Sequence, residues 1–336
     1  MIKTLTSWRG IFALCIVCFH FAMHEFDQMA YAGVTFFFML SGFLVTFHHK
    51  HIASAKQFYR RRMWRIFPLH WLALTLMIIL DLAIMHKFHY QWDLPLHVVL
   101  LQSWVPSEQV FYNYSIHSWF LSSLLACVIF TPLLLKFLQL SSRRVAWAAI
   151  IVACAAVAAV NITGTDSLRS YLYVCPLARM VDYSLGMILG ATMRERPSSK
   201  HYSTIRATVI EVATLAVFAT FIAAHASGNA VVAQLENSAM WWIPMSLLLV
   251  SCTLLHGSEG LIGRLLSIKP LVWLGEISFE VYILQKLVNN AFCYLVAPFC
   301  GHYGILIYDY SFACTLPLLI VTAWAVHKAF NYLSHP

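Results

Sequence analysis

The sequence predicts an all-α polytopic integral membrane bundle of about ten transmembrane helices with a cytoplasmic N-terminus, and three observations predict it. Of the 336 residues, 60% are hydrophobic and only 11% charged, with a mean hydropathy of +0.72. Soluble domains are about half apolar and about a quarter charged, so this composition excludes a water-soluble enzyme. Apolar runs recur along the whole length, each near the roughly 20 residues needed to cross a bilayer. The basic residues gather in alternate connections. The expectation is a single transmembrane domain over residues 1–336 with no separate soluble domain, so any active site is built from the bundle itself.

Taken in order, the apolar segments fall near residues 8–26, 31–48, 66–85, 116–138, 145–161, 171–191, 205–225, 239–256, 271–299 and 303–330. The first resembles a signal peptide, with Ala30-Tyr31-Ala32 as a mimic of a cleavage site, but Arg9 interrupts it early and a second span follows at once, so it reads as uncleaved. A run over residues 94–105 is too short to span and holds His97 and Gln102, which suits a re-entrant or interfacial part of an external loop. Six of the cysteines (15, 18, 127, 154, 252 and 314) lie inside apolar runs and read as small hydrophobes rather than a disulfide framework.

With the N-terminus inside, 18 of the 22 basic residues lie in or beside cytoplasmic segments, including Lys3, Arg9, the cluster Arg60-Arg61-Arg62 with Arg65, and Arg143-Arg144. Lys87 and Arg169 fall outside, and Arg179 and Lys286 lie within spans. This positive-inside bias explains the net charge of +8 without any nucleic-acid partner.

Ionisable residues inside spans are costly and mark functional candidates. Arg9 and His20 stand 11 steps apart, about three helical turns plus 20°, so they share one face of the first span about 16 Å apart. His24 extends that stripe outwards. A neutral imidazole, with an ordinary pKa of about 6.5, suits proton removal from a hydroxyl, although a structural histidine explains the same position. The arginine cluster at the mouth of the third span reads either as a topology signal near anionic headgroups or as a phosphate-binding mouth. Arg179 and Asp182, three residues apart, suit a buried ion pair; Gly186 and Gly190 suit close helix packing. Ser278, Tyr282 and Gln285 form a polar stripe. Glu211, Glu276 and Glu280 lie near cytoplasmic ends, where water access explains them, and Asp81 and Asp309 lie near external ends. Trp92, Trp104, Trp241 and Trp242 suit an interfacial belt. His86, His89 and His97 match no strong metal pattern, and no metal is expected.

Six collinear motifs resemble the acyltransferase-3 family of multispanning membrane proteins. Trp8-Arg9-Gly10-Ile11 through His20 is similar to its first-span segment, Gly33 to Phe43 to its second-span signature, and Arg62-Met63-Trp64-Arg65-Ile66-Phe67-Pro68 to its third. Trp119-Phe120-Leu121-Ser122, Tyr183 to Gly190, and Leu274 to Leu284 resemble the later ones. Three positions depart from the pattern: His70 stands where an aromatic residue is usual, Leu124 replaces a common Glu, and Gln285 a common His. Either those polar roles have moved or the activity is altered.

The resemblance implies transfer of an acyl group, most simply acetyl, from cytoplasmic acetyl-CoA (acyl-CoA) as donor substrate to a hydroxyl of a cell-envelope glycan or glycolipid, in a bacterial inner membrane. No permanently bound cofactor is implied. In that reading His20 and Arg9 are catalytic, with His20 as general base or acylated nucleophile. Arg61, Arg62 and Arg65 hold the CoA, and Ser41, Tyr282, Gln285 and Trp119 serve the substrate or the oxyanion. Two other classes remain as rivals: a transporter or flippase of a glycan or small metabolite, and a catalytically idle relative that assembles an envelope complex. The sequence leaves the acceptor, the acyl length and the oligomeric state open.

Overall fold

The computed structural model describes residues 2–21, 23–85, 91–196, 201–296 and 311–334. His86, Lys87, His89, Lys200 and Asp309 lie outside them, as does the side chain of His24. Within the described residues the chain forms α1 (Lys3–His20), α2 (Asp27–His48), α3 (Ala55–Leu80), α4 (Leu94–Val98), α5 (Glu108–Phe111), α6 (Ser118–Leu140), α7 (Arg143–Thr163), α8 (Asp166–Val174), α9 (Pro176–Arg194), α10 (Thr204–Ala226), α11 (Ala230–Leu235), α12 (Trp242–Leu254), α13 (Leu261–Leu266), α14 (Lys269–Glu276), α15 (Ser278–Ala291) and α16 (Ser311–Ser334), with no strand.

Six helices among the described residues are long and apolar enough to cross a membrane: α2, α3 with its continuation to Ala83, α6, α7, α10 and α16. The bent pair α8 and α9 makes a seventh if it is one span. The other segments read as spans from the sequence fall on α1, on the shorter apolar helix Ala239–Leu254, and on α14 with α15. Lys3, Arg9 and His20 dilute the apolar character of α1, and Glu276, Glu280 and Lys286 do the same for the α14–α15 run.

Local chemistry sets the boundaries. Ser54, Ser142 and Ser203 each accept an N-terminal backbone N–H with the side-chain oxygen, capping α3, α7 and α10. Pro176 restricts Cys175 to extended geometry and starts a new helix, which bends α8 against α9 by 53°.

The scaffold around the site depends on glycine. A Cβ on Gly186 would lie 1.9 Å from the Met39 carbonyl oxygen, and one on Gly42 2.0 Å from that of Tyr183, so α2 and α9 touch backbone to backbone. Gly275 makes the same close approach to Thr6, clamping α14 to α1. Behind these contacts Arg179 and Asp182 form the expected ion pair, Nη1 to Oδ2 at 2.8 Å with both side chains buried. The guanidinium also donates to the Tyr173 and Asn237 carbonyls at 2.6 and 3.0 Å and lies 4.6 Å from the Tyr173 ring centre.

Several expectations need correction. Trp241 and Trp242 are buried, not interfacial: Trp242 donates to Asp182 at 2.5 Å and Trp241 to the Glu236 carbonyl at 2.8 Å, so both indoles complete the core network. Glu211 is not merely hydrated, because it accepts the N–H groups of Gly260, Ile262 and Gly263 at 2.9 to 3.0 Å. Glu280 is buried and pairs with His327 of α16 at 2.8 Å.

The segment read as a re-entrant or interfacial part of an external loop is built as short helices docked on the bundle. His70 on α3 bonds the His97 carbonyl at 2.7 Å, and His97 bonds that of Val110 at 2.8 Å. Gln102 reaches Ser118 at 3.0 Å and Ser103 reaches the Trp119 carbonyl at 3.1 Å, which fixes the start of α6. Burial holds the His97 imidazole below its ordinary pKa, against upward pulls from its bond to Val110 and from Asp93.

Candidate functional site

Two large cavities enter the bundle beside opposite ends of α1. The first, about 670 Å³, is lined by Arg9, Ser41, Arg62, Arg65, Leu124 and Tyr282, among others. Arg9 lies two turns into α1, while Arg62 and Arg65 lie one helical turn apart on α3 and so present their charges together. The Arg62 guanidinium sits 5.6 Å from the Phe58 ring centre and that of Arg65 5.8 Å from Phe279, which orients both heads. Three arginines thus line one cavity, and each planar guanidinium fork can pair two oxygens of an anion such as phosphate. Phe37, Leu40, Phe120 and Leu124 form an apolar wall of the same cavity.

The second cavity, about 640 Å³, is lined by His20, Tyr31, Tyr112, Trp119, Tyr173 and again Tyr282, with Asp166, Arg169 and Glu236 on its polar side. His20 ends α1 with its imidazole exposed to this space. Burial raises the Tyr112 phenol to about 12, so its hydroxyl is a neutral hydrogen-bonding group there.

Tyr282 lines both cavities and is itself buried. Its ring lies 5.1 Å from that of Phe120, and its hydroxyl donates to the His117 carbonyl at 3.2 Å. A cavity lined by arginines and a cavity lined by hydroxyls and aromatic rings therefore meet at Tyr282, with an imidazole in the second. Residues 2–327 match a family described as an acyltransferase domain, the acyltransferase-3 family. The chain belongs to this family. It is also 25% identical over 223 residues to the acyltransferase MdmB of Streptomyces mycarofaciens, a stretch covering 57% of this chain and 58% of that protein. The match thus spans little more than half the length of that relative. No solved structure matches the chain.

Within the acyltransferase-3 fold the structure sorts the residues proposed from the sequence. Arg9, Arg62, Arg65, Ser41 and Tyr282 come together at the first cavity; His20, Trp119 and Tyr282 come together at the second. Arg61 is exposed and lines neither, because it lies about 100° around α3 from Arg62. Gln285 also lines neither: it is buried, and its amide donates to the Tyr282 carbonyl at 3.0 Å. Ser41 donates to the Phe37 carbonyl at 2.7 Å and stands on the arginine side, apart from His20.

Sequence reasoning passed over His48 and His49 and named Tyr183 only as part of a motif, although all three line the arginine cavity, and it passed over His117, whose ring centre lies 4.1 Å from that of His20. His48-His49 was legible as a basic end to the second span. His117 precedes the Trp119 motif by two residues, but only the folded start of α6 brings it against α1.

Proposed function

We propose that this chain is a membrane O-acyltransferase that draws acyl-CoA, most simply acetyl-CoA, into the arginine cavity from the cytoplasm. It passes the acyl group to a hydroxyl of an envelope glycan or glycolipid in the second cavity. Family membership supports acyl transfer. The observation that carries the finer reading is the shared wall at Tyr282, with the arginines on one side and His20 on the other. In this reading Arg9, Arg62 and Arg65 bind the CoA phosphates, and the channel past Leu124 takes the pantetheine arm. An apolar Leu at that position suits a neutral chain better than a carboxylate would.

His20 takes the proton of the acceptor hydroxyl, whose oxygen attacks the thioester carbon. The Tyr282 hydroxyl stands nearby as a donor for the oxyanion, provided it turns from the His117 carbonyl. Tyr31, Trp119 and Tyr173 offer flat aromatic faces to a sugar ring, and Arg169 and Glu236 offer polar partners for its hydroxyls. The bundle carries about ten spans with the N-terminus in the cytoplasm, in keeping with the charge bias of the connections.

The test uses full-length protein in nanodiscs with acetyl-labelled acetyl-CoA and a total envelope glycolipid and glycan extract. Label should enter the acceptor fraction with wild-type protein and fall by at least about a hundredfold with His20→Ala. Undiminished transfer by the folded His20→Ala protein removes the base. No transfer by wild type in nanodiscs, together with movement of the unmodified acceptor across the membrane when the same protein is reconstituted in sealed vesicles, favours the transporter instead.

A further inference from the structure

His117 is the least explained polar residue near the two cavities. It is 3% exposed, and neither imidazole nitrogen has a hydrogen-bond partner among the described residues. Buried polar groups almost always find partners, so two orphaned nitrogens on one ring call for a use. Its surroundings hold it firmly. The backbone carbonyl accepts the Tyr282 hydroxyl at 3.2 Å, the Tyr282 ring lies 5.7 Å away, and the next residue, Ser118, is tied to Gln102. The His20 ring stands perpendicular to it, at 86°, with centres 4.1 Å apart. At that distance and angle the edge of one imidazole faces the other ring with no N–H···N bond between them; turning the His20 ring and moving it outward by about 1 Å, to centres about 5 Å apart, brings an N–H of one against a nitrogen of the other.

We propose that His117 is the positioning partner of His20: it accepts the inner ring N–H of His20, fixes its tautomer and shares the proton during transfer. This rests on the reading of His20 as the base. The free outer nitrogen of His20 then faces the acceptor cavity. When the acceptor O–H bond breaks, its proton forms the new N–H on that nitrogen, and the oxygen pair forms the C–O bond to the acyl carbon. The C–S bond breaks with its electrons on sulfur, and the thiolate takes the proton from His20, leaving both imidazoles neutral. Through each cycle His117 bonds the imidazolium of His20, the task that a carboxylate performs in other histidine sites. Among the described residues no carboxylate pairs with His20, although Asp166 and Glu236 line the same cavity, and a neutral partner avoids burying a second charge beside it.

The test reads His20 directly and needs no acceptor. Full-length protein in nanodiscs is treated with diethyl pyrocarbonate at neutral pH, and carbethoxylation of His20 is followed by peptide mass spectrometry. His20 is exposed to its cavity and His117 is buried, so the two rings are distinguishable. The His117→Phe variant should modify His20 about fivefold more slowly or worse, and His117→Gln, whose side-chain carbonyl still accepts N–H, should recover most of that rate. Equal rates in wild type and folded His117→Phe overturn the proposal. A second measurement needs no folded variant at position 117: isotope-labelled wild-type protein should show a nitrogen-to-nitrogen coupling across the bond between the rings. Its absence also overturns the proposal. Loss of acyl transfer activity in every preparation, with the coupling present, would reject the acyltransferase reading and leave the pair standing.

Discussion

The arginine cavity makes a prediction that separates recognition of CoA from general attraction to anionic lipid. Arg61 and Arg62 are neighbours in sequence with equal charge, yet Arg62 lines the cavity while Arg61 is exposed outside it. A hydrogen bond to a charged group contributes about 1.5–3 kcal/mol, and about 1.4 kcal/mol is a factor of ten. Arg62→Gln should therefore weaken acetyl-CoA binding about 10- to 100-fold, whereas Arg61→Gln, an exposed charge screened by salt, should change it less than about twofold. Equilibrium binding of labelled acetyl-CoA to protein in neutral-lipid nanodiscs reads both. Repeating the titration with acetyl-CoA lacking its ribose phosphate adds a cycle: if Arg62 pairs that group, substitution and phosphate removal together cost little more than either alone. Equal weakening by the two substitutions would mean that the cluster acts as diffuse charge. No weakening by Arg62→Gln would refute the assignment of this cavity to the donor.

Three further outcomes follow from the packing and the external segment. Gly186→Ala places a methyl group against the Met39 carbonyl and should destabilise the protein by about 1–3 kcal/mol or more, read as a lower thermal midpoint in detergent; an unchanged midpoint would contradict the backbone contact of α2 and α9. Arg179→Met leaves Asp182 without its cation and should cost about 3–5 kcal/mol, with the double change Arg179→Met and Asp182→Leu recovering part of it. His97 is held below its ordinary pKa, so the unfolded chain binds more protons than the folded one as pH falls through about 6.5. Its contribution is complete above that pH and declines from there towards the lowered folded value; His97→Gln should flatten the acid side of the thermal-stability profile, and an unaltered slope would rule this out.

The helical class was legible because an apolar run long enough to span needs no partner to be recognised. The convergence of Arg9 with Arg62 and Arg65 was also legible, since each lies near the same end of its span. What periodicity does not report is which neighbouring helix covers a given face. That is why Arg61 was grouped with Arg62 although they point apart, and why Gln285 was expected at a site when its amide is used by the Tyr282 carbonyl. Trp241 and Trp242 have the composition of a membrane-interface pair, but Asp182 and the Glu236 carbonyl draw both indoles inward. His117 was invisible for a different reason: its meaning lies in a contact between residues 20 and 117, set by the docked segment around Gln102 and Ser103.

The thin wall at Tyr282 also has an electrical consequence. In the proposed reading the cavities open to opposite faces, so water in both would carry bulk potential deep into the bundle and the voltage across the membrane would fall mostly over the layer of side chains around Tyr282. Each elementary charge crossing such a layer does work of about 2.3 kcal/mol per 100 mV. A CoA anion would experience that field, whereas an uncharged acyl group would not. In that reading donor and acceptor would remain in separate aqueous compartments while the transferred fragment passes between them, its equilibrium indifferent to the polarisation of the membrane.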